Sequence, residues 1–388
     1  MPGLFICGAM ASAPLSLHCA PSQEHCAGAR APGRCDMPSL LHRWRPVLST
    51  LLLGLAAALL CTLLHTPLPW MIGPLLAVAI ARMRGADLRA PTQARNAGQW
   101  AIGTSLGLYF TSDVVARLIE FLPYIIAGSL FALLLGCGGA YLLRKTTGVA
   151  FKTAYFSTAI GGASEMANLA ERNGARIDQV AAAHSLRVLM VVVAVPALFQ
   201  YGGIHGLDPY VPGPRTVDYL WLPVLIAITV SVALVLKHFN LPNPFVIGTL
   251  LAAAVLTASG FELSAIPTWM SRAGQLMIGV SLGARFSRDF LHTAPRFLGG
   301  VAVYTLVALV LSALFGWGLS ALSGVHPATA ILGTTPGGIA EMCITAKVLE
   351  LGVPLVTAFH VIRMAFVVLC TGPLYHWLKH RAAPQETE

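Results

Sequence analysis

One stretch of apolar, span-like sequence occurs twice in this chain, 176 residues apart. Residues 97–113 read AGQWAIGTSLGLYFTSD and residues 273–289 read AGQLMIGVSLGARFSRD, ten matches in 17 positions, where unrelated apolar segments would match at roughly two or three. The same offset carries TAYFSTAIGGASEM, from Thr153, onto TAILGTTPGGIAEM, from Thr329, and His184-Ser-Leu-Arg187 onto His360-Val-Ile-Arg363. With one residue of slip, Ile72-Gly73-Pro74-Leu75-Leu76 falls on Ile247-Gly248-Thr249-Leu250-Leu251. A chain in which unusual polar residues recur in both apolar halves can place one shared site between those halves, the plan of many transporters.

The duplicated segments are membrane-type. Of the 388 residues 56% are hydrophobic and only 11% charged, and the mean hydropathy is +0.72; a soluble domain carries about 25% charged residues. The expected fold is all-α, a polytopic transmembrane helical bundle, and the first partner is the lipid bilayer. The formal charge of +9 is spread over short loops and carries no DNA-reading pattern, so nucleic acid is not an expected partner. Cys7, Cys19, Cys26 and Cys35 lie in the first 36 residues, while Cys61, Cys137, Cys343 and Cys370 are scattered without metal-ligand spacing and read as packing side chains. No metal and no cofactor is expected. Residues 1–38 read as a disordered extension, with Met37 the expected start of the working chain. The remainder divides into repeat 1 (45–205), a linker (206–217), repeat 2 (218–380) and a tail (381–388).

Six apolar segments lie in each half, several shorter than the roughly 20 residues of a full span. If the Gly-Gly segments 153–170 and 328–346 dip in and return, each half has five spans and the second half is inverted. Arg82, Arg84, Arg89, Arg95, Arg144, Lys145, Lys152, Arg172, Arg176, Lys237, Arg285, Arg288 and Arg296 then share one side. Arg117, Arg215, Arg272 and Lys347 are left on the other. The positive-inside rule favours this arrangement of ten spans with both termini cytoplasmic. Twelve complete crossings, with the Gly-Gly segments as broken helices, is the alternative.

Gly161-Gly162 and Pro336-Gly337-Gly338 interrupt apolar segments, and Gly costs about 1 kcal/mol and Pro about 3 kcal/mol inside a helix. A half-helix restarting after each pair would present free N–H groups and a positive dipole end. Close helix packing through small residues is the other reading. Glu165 and Glu341, three residues past the glycines, favour a broken-helix site, because an ionised Glu in hydrocarbon costs roughly 2.5–3.5 kcal/mol. His184/Arg187 and His360/Arg363 stand at i, i+3 on one helix face. Two roles are open for these charges: Glu165–Arg187 and Glu341–Arg363 ion pairs that lock each half, or substrate and proton coupling. Both sets are expected around one polar cavity near the midplane. Gln99, Ser105, Gln275 and Ser281 sit in short helices built for close contact and are possible lining.

These blocks, Ile-Gly-Pro-Leu-Leu, Gln-x-x-Ile-Gly-x-Ser-Leu-Gly and Gly-Gly-x-x-Glu-Met in doubled order, resemble the AbrB-type family of duplicated bacterial membrane proteins over roughly residues 45–380. Members of that family are labelled variously as ammonia monooxygenase, regulator of gene expression and transporter. The resemblance implies an inner-membrane protein and no link to the small DNA-binding protein of the same name. An oxygenase needs clustered His or carboxylate ligands with open positions, and each half offers one intramembrane histidine. The residues fit better a secondary transporter or exporter of a small solute, with an anion suggested by the paired arginines. An indirect effect on gene expression is the second reading, and a monooxygenase-like metalloenzyme the third.

Overall fold

The structure, a computed structural model, describes residues 40–206, 216–288, 290 and 294–382. The extension at 1–38, residues 207–215 of the linker and residues 383–388 of the tail lie outside the described residues, as does Asp289 of the second repeat block. All contacts discussed belong to the compact unit that begins at Arg43.

Among the described residues there are fifteen helices and no strand. The first half holds α1 (Leu40–Leu63), α2 (Pro69–Met83), α3 (Thr92–Gly107), α4 (Ser112–Glu120), α5 (Leu122–Thr147), α6 (Phe151–Thr158), α7 (Ala163–Arg172) and α8 (Ile177–Tyr201). The second holds α9 (Leu222–His238), α10 (Pro244–Ala258), α11 (Thr268–Gly283), α12 (Pro295–Ser323), α13 (Pro327–Thr334), α14 (Ile339–Val348) and α15 (Val353–Ala382). Helices α3, α6 and α7 recur as α11, α13 and α14 with both ends displaced by the same 176 residues. Proline opens many of them, its missing N–H falling where no intrahelical bond exists. Gly148 and Gly324, at φ 71° and 69°, end α5 and α12 in a left-handed cap that favours glycine. The short helix α4 lies between apolar segments and was not legible in them.

Five helices (Trp44–Leu63 within α1, α5, α8, α12 and Val353–Lys379 within α15) are long and apolar enough to cross a membrane. Leu52, Leu59 and Leu60 on α1 and Val310, Leu314 and Trp317 on α12 are all exposed. Apolar surface of this extent on uninterrupted helices belongs in lipid. The protein is a multi-pass helical membrane protein.

Glycines set how the helices meet. A methyl group at Gly98 would stand 2.6 Å from the Gly274 carbonyl oxygen and 3.0 Å from Ile278, and one at Gly274 3.1 Å from Ala101. As residue numbers rise on α3 they fall on α11, so this pair is antiparallel. Gly103 and Gly107 approach the Val246 and Leu250 carbonyls, and Gly279 and Gly283 those of Met71 and Leu75. There the numbers rise together, so α3 is parallel to α10 and α11 to α2. The halves therefore interlock rather than pack as separate bodies. Close approach is the role of the Gly-x-Ser-Leu-Gly blocks, since any side chain at these positions would strike a neighbouring backbone.

Each Gly-Gly segment doubles back. The α6–α7 hairpin starts and finishes at one level: Thr153 Oγ1 accepts a hydrogen bond from the Arg176 N–H at 3.2 Å, and Lys152 lies beside Gly174. Its turn, at 159–162, sits against Arg187, ten residues into α8. The α13–α14 hairpin repeats this arrangement, with Gly352 against Thr329 and its turn at Arg363, ten residues into α15. At 1.5 Å per residue each turn reaches about 15 Å along its long helix, half the roughly 30 Å of a hydrocarbon core.

Candidate functional site

The break in each hairpin follows from its glycines. At Gly161 a Cβ would press on Met166, and at Gly162 it would collide with the Glu165 carboxylate. Gly337 and Gly338 stand in the same relation to Met342 and Glu341. The Gly-Gly-x-x-Glu-Met spacing thus lets a carboxylate and a thioether fold back over the first turn of α7 and of α14. There the Glu occupies the third helical position, facing free N–H groups and the positive end of the helix.

The arginines serve the other half of each break. Arg187 donates from Nη1 to the Ala159 carbonyl (2.8 Å) and from Nη2 to the Gly161 carbonyl (3.3 Å). Arg363 does the same to Thr335 (2.6 Å) and Gly337 (2.7 Å). These carbonyls close α6 and α13, where helix dipoles end negative. Nη2 of each arginine also meets the Nδ1 of His184 (3.0 Å) or His360 (2.8 Å). A guanidinium can only donate, so Nδ1 accepts and the proton sits on Nε2. Nε2 then donates to Phe156 O (2.9 Å) or Leu332 O (3.1 Å). The Glu165–Arg187 and Glu341–Arg363 ion pairs, one of the two roles left open by the sequence, do not form: the ion pairs among the described residues are Arg89–Asp87 and Arg176–Asp178, both exposed. Positive charge closes the first half-helix and negative charge opens the second, so the two groups have backbone partners and need not meet.

All ten residues proposed from the sequence line one cavity of about 110 Å³: Gly161, Gly162, Glu165, His184, Arg187, Gly337, Gly338, Glu341, His360 and Arg363. Gln99 lines it too, whereas Gln275, Ser105 and Ser281 do not. Ser281 bonds back to Met277 O at 2.7 Å, and Ser105 accepts a bond from Lys347 Nζ at 2.8 Å. The lining the sequence reading missed includes Arg95, Arg285, Ser164 and Asn243. Arg95 stands one turn before Gln99, on the same face of α3, which was legible. Asn243 takes a left-handed φ of 46° where α10 begins, a conformation it tolerates better than most residues.

The cavity is polar but unlike a metal centre. No three His, Cys, Asp or Glu side chains among the described residues are grouped to hold an ion. Both nitrogens of each central histidine are already engaged by an arginine and a carbonyl, so neither has a lone pair to offer a metal. The residues present do not fit a copper or iron oxygenase centre.

Fold and site together define a polytopic helical membrane protein with two broken hairpins meeting at a polar centre. The chain belongs to the AbrB family: residues 70–379 match the family described as "Transition state regulatory protein AbrB". It is 28% identical over 314 residues to "Putative regulator AbrB" of Escherichia coli (strain K12), covering 80% of this chain and 89% of that protein. It is 27% identical over 352 residues to "Uncharacterized protein YhjN" of Bacillus subtilis (strain 168), covering 84% and 91%.

Proposed function

We propose that the protein is a secondary transporter of a small solute, built of two inverted repeats around the central cavity, in the bacterial inner membrane with both termini cytoplasmic. The observation that carries this reading is the convergence of two doubled-back Gly-Gly hairpins on one polar cavity. Irregular backbone at membrane depth is tolerated where it lines such a cavity, and transporters place their sites at broken helices near the midplane. The antiparallel α3–α11 pair and the two returning hairpins agree with the ten-span topology that the positive-inside rule favours. In that topology the hairpins enter from opposite faces.

The cavity is one-sided, which suits a carrier caught in one state. Two wider recesses, about 550 and 490 Å³, adjoin it and share Arg285, Ser164, Arg95 and Glu165 with its lining. Arg172 and Lys237 also lie in one of them, and all the basic members belong to the side assigned to the cytoplasm. At the other end, Lys347 of α14 is bonded to Ser105 of α3 and lies over the Tyr109 ring. We read this as an inward-open form. The test is gradient-driven uptake into liposomes holding the purified protein, assayed for acetate, succinate, phosphate and ammonium and with an internal pH dye. Movement above that of protein-free liposomes, lost in Glu165→Gln and Glu341→Gln variants that insert normally, is expected. Absence of any flux across this panel would overturn the reading.

A further inference from the structure

We infer that Arg95 and Arg285 form the solute-recognition pair of the cavity and that the solute is a small oxyanion bearing a carboxylate or phosphate group. The inference rests on the transporter reading and moves recognition away from the central arginines. Arg187 and Arg363 have two backbone carbonyls and a histidine each, so their Nη donors are committed to the breaks and only the buried Nε of each is left without a partner. The remaining cations lining the cavity are Arg95 and Arg285. Neither guanidinium has a hydrogen bond or ion pair among the described residues.

Three observations bring these two together. Arg95 lies in the first turns of α3 and Arg285 two residues beyond α11. Those helices are antiparallel, which puts both side chains at the same end of the cavity, whose lining they share with the buried Glu341. The pair is also where the two repeats part company. The position equivalent to Arg95 is Ser271, and the position equivalent to Arg285 is Tyr109. Within the cavity lining each half therefore has one arginine whose equivalent is not an arginine, and both fall on the open side. A structural role shared by the repeats would have appeared in both copies; a role at one mouth of one cavity appears once.

Charge and shape then select the class of ligand. Four arginines face two glutamates around the cavity, and the carboxylates are folded over the N-termini of α7 and α14. The unspent field is positive. Guanidinium groups present a planar fork that matches a carboxylate or phosphate in two parallel hydrogen bonds. An ammonium or quaternary amine would meet an excess of like charge at this mouth.

The experiment is thermal unfolding of the full chain in detergent, at matched ionic strength, with sodium acetate, succinate or phosphate, and with ammonium or choline chloride. At least one oxyanion is expected to raise the midpoint, and neither cation. Arg95→Gln and Arg285→Gln should weaken that anion at least about tenfold, since losing a bond to a charged group costs upwards of 1.4 kcal/mol. Arg272→Gln, on the far side, should leave it unchanged. If either Gln variant fails to fold, Arg95→Lys and Arg285→Lys decide the matter, keeping the charge and losing the fork. No oxyanion effect, or one that survives substitution at both arginines, overturns the inference. Should ammonium bind and cross liposomes while the oxyanions do neither, recognition by these arginines falls and transport stands. Oxyanion binding that depends on the arginines but comes without flux has the opposite meaning.

Discussion

At Arg187 and Arg363 an intramembrane charge is balanced without a carboxylate. Each guanidinium gathers the carbonyls exposed where α6 or α13 stops, and a neutral histidine with a fixed tautomer braces it. Removing the guanidinium strands two buried carbonyls, at about 1–3 kcal/mol each. Arg187→Met and Arg363→Met should therefore lower stability by about 2–5 kcal/mol, read as a fall in the thermal midpoint in detergent. The diagnostic result is in the double variants: adding Glu165→Gln to Arg187→Met, or Glu341→Gln to Arg363→Met, should restore nothing. Recovery of stability in the doubles would mean that the acid and base of each break are coupled as an ion pair after all. The sequence pointed to these residues because His-x-x-Arg recurs at the same 176-residue offset within apolar segments. It could not reveal the pairing, since the partners are backbone carbonyls, which leave no trace in side-chain identity.

The glycines of the hairpins make a sharper test at the same scale. A methyl at Gly162 or Gly338 would occupy the space taken by the Glu165 or Glu341 carboxylate. Gly162→Ala and Gly338→Ala should displace the carboxylate from the helix start and abolish transport in protein that still inserts. Gly148→Ala provides the contrast: it strains a left-handed cap, costs about 1 kcal/mol, and leaves flux intact. Equal losses in all three would tie the hairpin glycines to folding alone.

Among the elements, the hairpins break the symmetry that the helix boundaries keep. Helix α14 packs against α3 through the Lys347–Ser105 bond, whereas α7 makes no comparable packing with α11. In the proposed transporter, bounds that repeat at 176 residues let either hairpin take either position, so the alternate state would seat α7 on α11 and free α14. Cysteines placed at Ser105 and Lys347, joined by a short thiol-to-thiol crosslinker, should hold the present state and stop flux, with recovery on cleaving the linker. Full transport by the crosslinked protein would remove the α14–α3 contact from the cycle. The doubled order of elements was legible in the sequence, and so was the two-way reading of the Gly-Gly segments. What decided for returning hairpins was contact between their ends, Thr153 with Arg176 and Thr329 with Gly352, a long-range fact that local composition does not carry.

For the whole molecule, two independent lines support the proposed topology. Basic residues counted by segment put 144–152 and 285–288 on the same side, and the glycine contacts make α3 antiparallel to α11. With α2 parallel to α11 and α3 parallel to α10, equivalent helices of the two halves point in opposite directions. A parallel duplication would need α3 and α11 to share a direction. The prediction is read by single-cysteine accessibility in a background with all eight native cysteines replaced. Cysteines at Lys145 and Arg288 should react with an impermeant maleimide only from the cytoplasmic face. Those at Arg117 and Arg272 should react only from the opposite face. Labelling of positions 145 and 288 from different faces would break the inversion. It would also take away the geometric reason for the two hairpins to meet, since hairpins entering from one face would lie side by side and could not close one cavity between opposed turns.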